Sequence, residues 1–483
     1  MSDYLEGTKA APTTWGDVLV LGLGKSGRAA AEYFLGLLGS RVKSLTIAGG
    51  DQNDAALEFA EGARSRGARV TFDTYTFDER YDVCVASPGI SQFSRFYENA
   101  QAVSGEVISE VELAWRESPA DSRWVAVTGT NGKTTTTTLT RDLLRAGGLA
   151  AEAVGNIGRM ATGEVAKRAP GEWLVAELSS FQLAGSRELH PRVAVLLNVT
   201  PDHLAWHKTM ENYAAAKERI FANLDADDLA VISDGDDWCR AIAERVRARG
   251  LNVCRLLSAG EAPREGERSC AWEGADGMLH VRIDGRDTEL VRSSELEIHG
   301  EHNVENALAA SAAALACGVD ACDVRAGLKA FRPLEHRIEP CGELGGVRFV
   351  NDSKATNTDA VSKALTAFKP GSVVILLGGH DKGTELVDMA ADVARDARVA
   401  VCFGEAGERI ARALEATGSG VEVVRAAHLA EALDAGARAA RPGDVVLLSP
   451  ACSSFDEFSG FEERGRVFKR LVAERIRAGK SEQ

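Results

Sequence analysis

The sequence predicts an α/β protein built from parallel sheets in three successive blocks. Three observations carry that reading. Strand and helix signals alternate nearly throughout, glycine-rich turns join apolar strands to helices, and 483 residues leave room for two to four domains at roughly 100–200 residues each.

In the first block, residues 17–38 read as a buried strand, a glycine turn and a helix. Apolar strands are expected at Ser44–Ala48 and Asp82–Ala86, and the block closes near Ser118–Asp121, where ESPADS breaks the helix Ser109–Arg116. The second block restarts with strand Arg123–Val127, the turn TGTNGKT and a threonine-rich helix. Strands at Trp173–Ala176 and Val193–Leu197 follow. Short alternating runs in 251–300 predict an antiparallel appendage, and an alanine-rich helix is expected over Asn303–Cys317. FRPLEHR (331–337) reads as a hinge with Pro333 as breaker. The third block alternates again, with strands at Gly346–Asn351, Ser372–Gly378, Val399–Gly404 and Asp444–Ser449.

Charge narrows the partners. Lys plus Arg number 56 against 71 Asp plus Glu, a formal net charge of −15, which disfavours nucleic acid and anionic membrane as partners. Any phosphate must therefore be held locally. The longest apolar runs, such as Val193–Val199 and Val373–Leu377, fall well short of the roughly 20 residues that span a bilayer. The start of the chain is polar and acidic, without the basic-then-apolar order of a secretory signal. Nine scattered cysteines without a CxxC read mostly as small buried residues of a reducing compartment, so a cytoplasmic location is expected.

Gly22-Leu23-Gly24-Lys25-Ser26-Gly27 matches GxGxxG after a strand and before a helix, a turn suited to a phosphate at a helix N-terminus. A tight turn without a ligand is the competing reading. NAD is disfavoured because the nearest ribose-gripping acid, Asp51, stands too far on. Gly129-Thr130-Asn131-Gly132-Lys133-Thr134-Thr135 is more specific. Its backbone N–H groups would cradle phosphates, Lys133 would neutralise the terminal ones, and a threonine hydroxyl would reach Mg²⁺. It departs from GxxxxGK[ST] in that Val127 stands where the first glycine belongs. ATP binding follows.

Glu177 and His203 follow strands of the same block, where ligands gather, although a helix cap and a loop residue are the bland alternatives. Lys217 reads by spacing alone as a solvated helix lysine, and Asn303, which shares a helical face with Asn306, as an N-cap. The segments 351–357, 378–383 and 449–458 end strands of the third block with many hydrogen-bonding residues. They suggest a second substrate there, with a solvated loop as the alternative for 351–357.

Together these residues resemble the Mur ligases of peptidoglycan synthesis, from the GLGKSG loop to SPACSSFDEFSGFEERG. ELSSFQL (177–183), NDSKATN (351–357) and SPACSSFDEF (449–458) are similar to the D-glutamate-adding branch. The resemblance implies three domains. These are a Rossmann-like N-terminal domain (1–120) for a UDP-linked substrate, a central P-loop-type ATP domain (121–333) and a Rossmann-like C-terminal domain (334–483) for D-glutamate. It implies ATP-dependent amide ligation through an acyl phosphate, in peptidoglycan precursor synthesis, by a monomer acting on small molecules. Carried over by motif, Lys133, Glu177, His203 and Lys217 are catalytic. Thr134, Glu177, His203 and a carbamylated Lys217 serve two Mg²⁺ sites. Nucleotide contacts fall to residues 129–135, Asn303, Asn306, His336, Arg337 and Asp352, and those to the UDP-substrate fall to residues 22–27 and Asn156. D-Glutamate contacts fall to Lys354, Thr356, Lys382, Ser454 and Phe461.

Three other functions compete. A folate-type glutamate ligase would lack the first block, a nicotinamide oxidoreductase would leave GTNGKT and Lys217 idle, and a nucleotide-binding regulatory module would need no amino-acid site.

Overall fold

The computed structural model describes residues 4–50, 52–169 and 171–481; Asp51, the rejected ribose ligand, lies outside them. Three sheets of mostly parallel strands account for the α/β class. The first contains β1 (Gly16–Leu21), β2 (Val42–Ala48), β3 (Arg69–Thr71), β4 (Tyr81–Ala86) and β5 (Ser104–Ile108) in the order β3-β2-β1-β4-β5, every pair parallel. Its apolar strands are covered by helices Lys25–Leu37, Asp54–Ser65 and Arg95–Val103, as parallel sheets require.

The second sheet contains β6 (Arg123–Thr128), β7 (Ala151–Gly155), β8 (Trp173–Glu177), β9 (Val193–Leu196), β10 (Leu229–Ser233), β11 (Asn252–Leu256), β12 (Cys270–Glu273), β13 (Met278–Ile283) and β14 (Arg286–Arg292). Its order is β14-β13-β12-β11-β10-β9-β6-β8-β7. The expected antiparallel appendage is corrected here. β11 and β12 continue the sheet in parallel, and only β12-β13-β14 run antiparallel. β11 reads NVCRL and is buried along its whole length, so it belongs with the core strands rather than with the half-solvated hairpin beyond it.

The third sheet contains β15 (Glu339–Leu344), β16 (Val347–Asn351), β17 (Val373–Gly378), β18 (Ala397–Phe403), β19 (Glu422–Arg425) and β20 (Val445–Ala451). The order is β15-β16-β20-β17-β18-β19, parallel except for the β15–β16 hairpin.

Each sheet places its polar loops where strand order reverses. β1 lies between β2 and β4, β6 between β8 and β9, and β20 between β16 and β17. Ligands of open α/β sheets bind outside the carboxyl ends of strands at such points. The described residues form two compact units. One comprises 1–295 with 305–329 and holds the first two sheets; the other comprises 296–304 with 330–483 and holds the third.

Candidate active site

In the first unit, the turn after β6 is shaped by two glycines. Gly129 has φ +155 and Gly132 φ +83. A Cβ on Gly132 would lie 2.4 Å from Asn306 Oδ1 and 2.9 Å from Leu197 Cδ1, so the loop can run there only without a side chain. Gly132 is also the N-cap of helix Lys133–Ala146 and offers no side-chain cap, leaving the N-terminal N–H groups for an anion. The loop is braced from outside. Asn198 Oδ1 accepts from Asn131 N at 2.7 Å, and Thr130 Oγ1 lies 3.0 Å from the Tyr213 hydroxyl.

Two lysines converge on this loop. Lys133 Nζ donates to the carbonyls of Gly129 (2.8 Å) and Thr130 (2.7 Å). Lys217 Nζ donates to the same Gly129 carbonyl at 2.7 Å and lies 4.5 Å from the centre of the Tyr213 ring. Lys217 is 1 % exposed, so the reading as a solvated lysine is overturned. Burial first, and repulsion from Lys133 second, hold its amine well below the ordinary lysine range. A buried amine facing another ammonium is thus driven toward its neutral, nucleophilic form.

Glu177 ends β8, and Ser179 rather than Glu177 caps the helix that follows, which removes the helix-cap alternative. Its Oε1 accepts from Asn156 Nδ2 at 2.8 Å. Its Oε2 is buried without a hydrogen-bond partner, and an orphaned carboxylate oxygen fits a hard cation. His203 adopts φ +56, rare for a residue with a Cβ, at the start of Leu204–His207. Its ring meets Phe181 edge-on at 4.8 Å, and its Nε2 lies 3.5 Å from Asp202 Oδ2.

Asn306 lies in helix Glu301–Ala316, and its Oδ1 accepts from Thr136 Oγ1 at 3.1 Å. Asn303 is inside this helix rather than at its N-cap, and its Nδ2 donates to His299 O at 2.8 Å. The expected N-cap is corrected: the helix begins two residues earlier.

A cavity of about 500 Å³ opens at the end of β1. It is lined by residues 22–26 of the glycine loop, by Gly49, Gly50 and residues 87–90, and by the rings of Tyr75 and Phe96. Gly27 is needed for packing, since a Cβ there would sit 1.9 Å from Gly22 O.

In the second unit, Asp352 follows β16. Its Oδ2 accepts from Ser449 Oγ at 2.8 Å, and burial pushes its carboxyl up to about 7. His336 is buried, with Nδ1 2.8 Å from Asn351 Nδ2, and Arg337 is the next residue. Lys382 Nζ donates to Thr356 O at 2.9 Å, and Lys354 Nζ lies 3.7 Å from the centre of the Phe461 ring. Ser353 Oγ donates to Phe461 O at 2.9 Å. Ser454 Oγ is buried without a partner. Arg464, fully buried, ties these loops together by donating to Ser353 O and to the carbonyls of Cys452 and Ser453.

Sequence reasoning missed Tyr213, Asn198, Arg464 and the Tyr75–Phe96 wall. Tyr213 had a usable signal, because it stands four residues before Lys217 on one helical face. The others depend on contacts between segments far apart in sequence.

A phosphate loop at a switch point, gripped by two lysines and flanked by a carboxylate with an open oxygen, defines a nucleoside-triphosphate enzyme. Two family models match, "Mur ligase middle domain" over residues 127–314 and "Mur ligase, glutamate ligase domain" over 336–452. A protein of Pelotomaculum thermopropionicum named UDP-N-acetylmuramoylalanine–D-glutamate ligase is 39% identical, across 94% of this chain and 97% of its own. One of the same name from Geobacillus kaustophilus is also 39% identical, with the same coverage of 94% and 97%. Among solved structures, MurF of Acinetobacter baumannii matches with a TM-score of 0.59 at 18% identity, over 95% of this chain and 93% of that one. Folylpolyglutamate synthase of Mycobacterium tuberculosis, complexed with ADP, matches at 0.55 and 16% identity, but over only 72% of this chain and 90% of its own. The chain belongs to the Mur ligase family.

Proposed function

We propose that this protein joins D-glutamate to UDP-N-acetylmuramoyl-L-alanine with consumption of ATP, in peptidoglycan precursor synthesis. The supporting observation is the 39% identity with ligases of that name across 94% of the chain, together with the paired lysines on Gly129. The acceptor's carboxylate attacks the γ-phosphorus and expels ADP, giving an acyl phosphate. The D-glutamate amine then adds to that carbonyl, and the tetrahedral intermediate expels phosphate.

This chain's residues gather mutually repelling anions and keep water out. The loop N–H groups and Lys133 hold the β- and γ-phosphates, with Thr134, Thr135 and Asn306 beside them. Asn303, His336, Arg337 and Asp352 take the rest of the nucleotide. The glycine loop, residues 22–27, holds the UDP pyrophosphate, the Tyr75–Phe96 wall its base, and Asn156 the sugar. Lys382 and Lys354 face the D-glutamate carboxylates, with Thr356, Ser454 and the Phe461 backbone fixing its orientation.

Mg²⁺ fits this donor set. Thr134 and Glu177 would hold one ion, and His203 with a modified Lys217 a second. Bound there, the ions would neutralise developing phosphate charge. The neutral Lys217 amine adds to CO₂ and loses a proton, giving a carbamate whose oxygens are anionic. We place the domain limits at 1–120, 121–333 and 334–483, and assign a monomer in the cytoplasm. Among the described residues no helix is long and apolar enough to cross a membrane.

The test is phosphate release from ATP with UDP-N-acetylmuramoyl-L-alanine and D-glutamate, L-glutamate, L-lysine or no amino acid. Release with D-glutamate alone supports the reading. Equal release with L-lysine, or none with D-glutamate, overturns it.

A further inference from the structure

Arg337 stands between two strained residues. Both neighbours have positive φ, +64 at His336 and +42 at Ile338. Neither is a glycine, and for a β-branched residue such as Ile338 this region is a genuine outlier. Strain of that kind persists only where the surroundings over-determine it, so the turn 336–338 directs attention to whatever holds it.

Backbone bonds supply part of the hold. Arg337 N donates to Leu334 O and Lys354 N to His336 O, each at 3.1 Å. Side chains supply the rest. Ile338 N donates to Asp352 Oδ1 at 3.3 Å, and His336 N donates to Glu339 Oε2 at 2.9 Å. Asp352 already has a place among the nucleotide contacts. Glu339 has none.

Glu339 opens β15, and the register of the β15–β16 hairpin sets it opposite Asn351. Lys469 alone would satisfy a carboxylate there, since its Nζ donates to Glu339 Oε1 at 2.9 Å. The other oxygen instead reaches back over the turn, where Oε2 accepts from His336 N and, at 3.0 Å, from Asn351 Nδ2. Asn351 Nδ2 also lies 2.8 Å from His336 Nδ1. Burial holds that imidazole below its ordinary value, so its neutral ring accepts there. Glu339 thus ties the turn to the start of the loop after β16, which carries Asp352 and Lys354. Gly465 closes the far side, because a Cβ there would lie 2.2 Å from His336 Nδ1.

We propose that Glu339 is a positioning residue that locks the strained turn through His336 N and Asn351 and so aims Arg337 at the bound nucleotide. The inference rests on the nucleotide role proposed for Arg337 and deepens it. A guanidinium on a loose turn would spend binding energy on ordering the chain, whereas one on a locked turn does not. The reach of the carboxylate is what matters, because one oxygen must span from β15 to His336 N. Its charge serves Lys469.

Reach and charge separate by substitution in the full chain. Glu339→Asp keeps the charge and draws the oxygen back by a methylene, whereas Glu339→Gln keeps an acceptor at the same reach without the charge. Steady-state KM values for ATP and for the UDP-substrate are measured well below each variant's melting temperature, beside Arg337→Met and the double variant of Glu339→Asp with Arg337→Met. Glu339→Asp should raise KM for ATP about tenfold and Glu339→Gln less than about threefold, with KM for the UDP-substrate unmoved in both. The double variant should be no worse than Arg337→Met alone, because Glu339 acts through Arg337. A merely structural role would lower the melting temperature and kcat without this split. Unchanged KM for ATP in Glu339→Asp, equal rises in Glu339→Asp and Glu339→Gln, or additive losses in the double variant overturn the proposal and leave the nucleotide reading intact. Unchanged KM for ATP in Arg337→Met overturns that reading as well.

Discussion

Two glycine loops in the same unit solve one geometric problem in different ways. Residues 22–27 and 129–135 each follow the strand at a switch point and open a helix on a glycine N-cap. The first leaves Lys25 exposed and borders an open cavity with aromatic walls. The second folds Lys133 back onto its own carbonyls and sets buried Lys217 against the same oxygen. On the proposed reading, the first loop needs only backbone amides, because the pyrophosphate it would hold does not react. A phosphoryl group in flight carries shifting charge, and that is where concentrated cations belong.

The largest break in this contrast comes from Lys133→Ala, which should cut turnover by about two orders of magnitude or more. Near-normal steady-state rates would show that the second loop needs no more cation than the first. Lys217→Ala should also abolish most activity, and added acetate or formate should restore part of it by supplying the missing anionic oxygens. Indifference to Lys217, read in the same assay, would dismiss the carbamate. Glu177→Gln keeps an acceptor for Asn156 but removes the charge on the orphaned oxygen. The Mg²⁺ concentration for half-maximal rate should rise about tenfold or more, and an unchanged Mg²⁺ curve would leave Glu177 without that role.

Smaller effects separate packing from binding within the first loop. Gly27→Ala drives a Cβ against Gly22 O and should cost about 1–3 kcal/mol in urea unfolding. A Cβ at Gly24 meets nothing within 4 Å, so Gly24→Ala should change stability by less than about 0.5 kcal/mol while raising KM for the UDP-substrate. If both variants behave alike, the loop has no ligand role of its own.

The third sheet offers a gentler probe, because its loop uses a buried carboxyl. Asp352 is held at about 7 against an ordinary 3.8, so the folded state binds a proton that the unfolded state releases. That stabilisation is complete below about pH 4 and is lost as pH rises through 7. Asp352→Asn should therefore flatten the decline in melting temperature between pH 5 and 8. A decline as steep as in the parent chain would contradict the assignment.

What could be read beforehand divides along the same physical line. The strand–loop–helix units were visible because apolar runs and glycine positions are local, and β1, β6, β17 and β20 fall within a few residues of their expected limits. Lys217 was opaque to spacing. Its helix has small residues around it, and its burial shows only in three dimensions, where its amine meets the Gly129 carbonyl of the loop after β6. The direction of β11 is hidden for a related reason, since pairing with β10 rather than its own pattern decides it. Arg464 sits in a helix rich in charge and became the tie between two distant loops only through tertiary contact.

The central claim is that ATP activates the acceptor's carboxylate before the amino acid enters. It is tested most directly with UDP-N-acetylmuramoyl-L-alanine labelled with ¹⁸O in the alanyl carboxylate. Turnover with ATP and D-glutamate should deliver one labelled oxygen to the released phosphate. Phosphate free of label, with amide formed, would contradict the account.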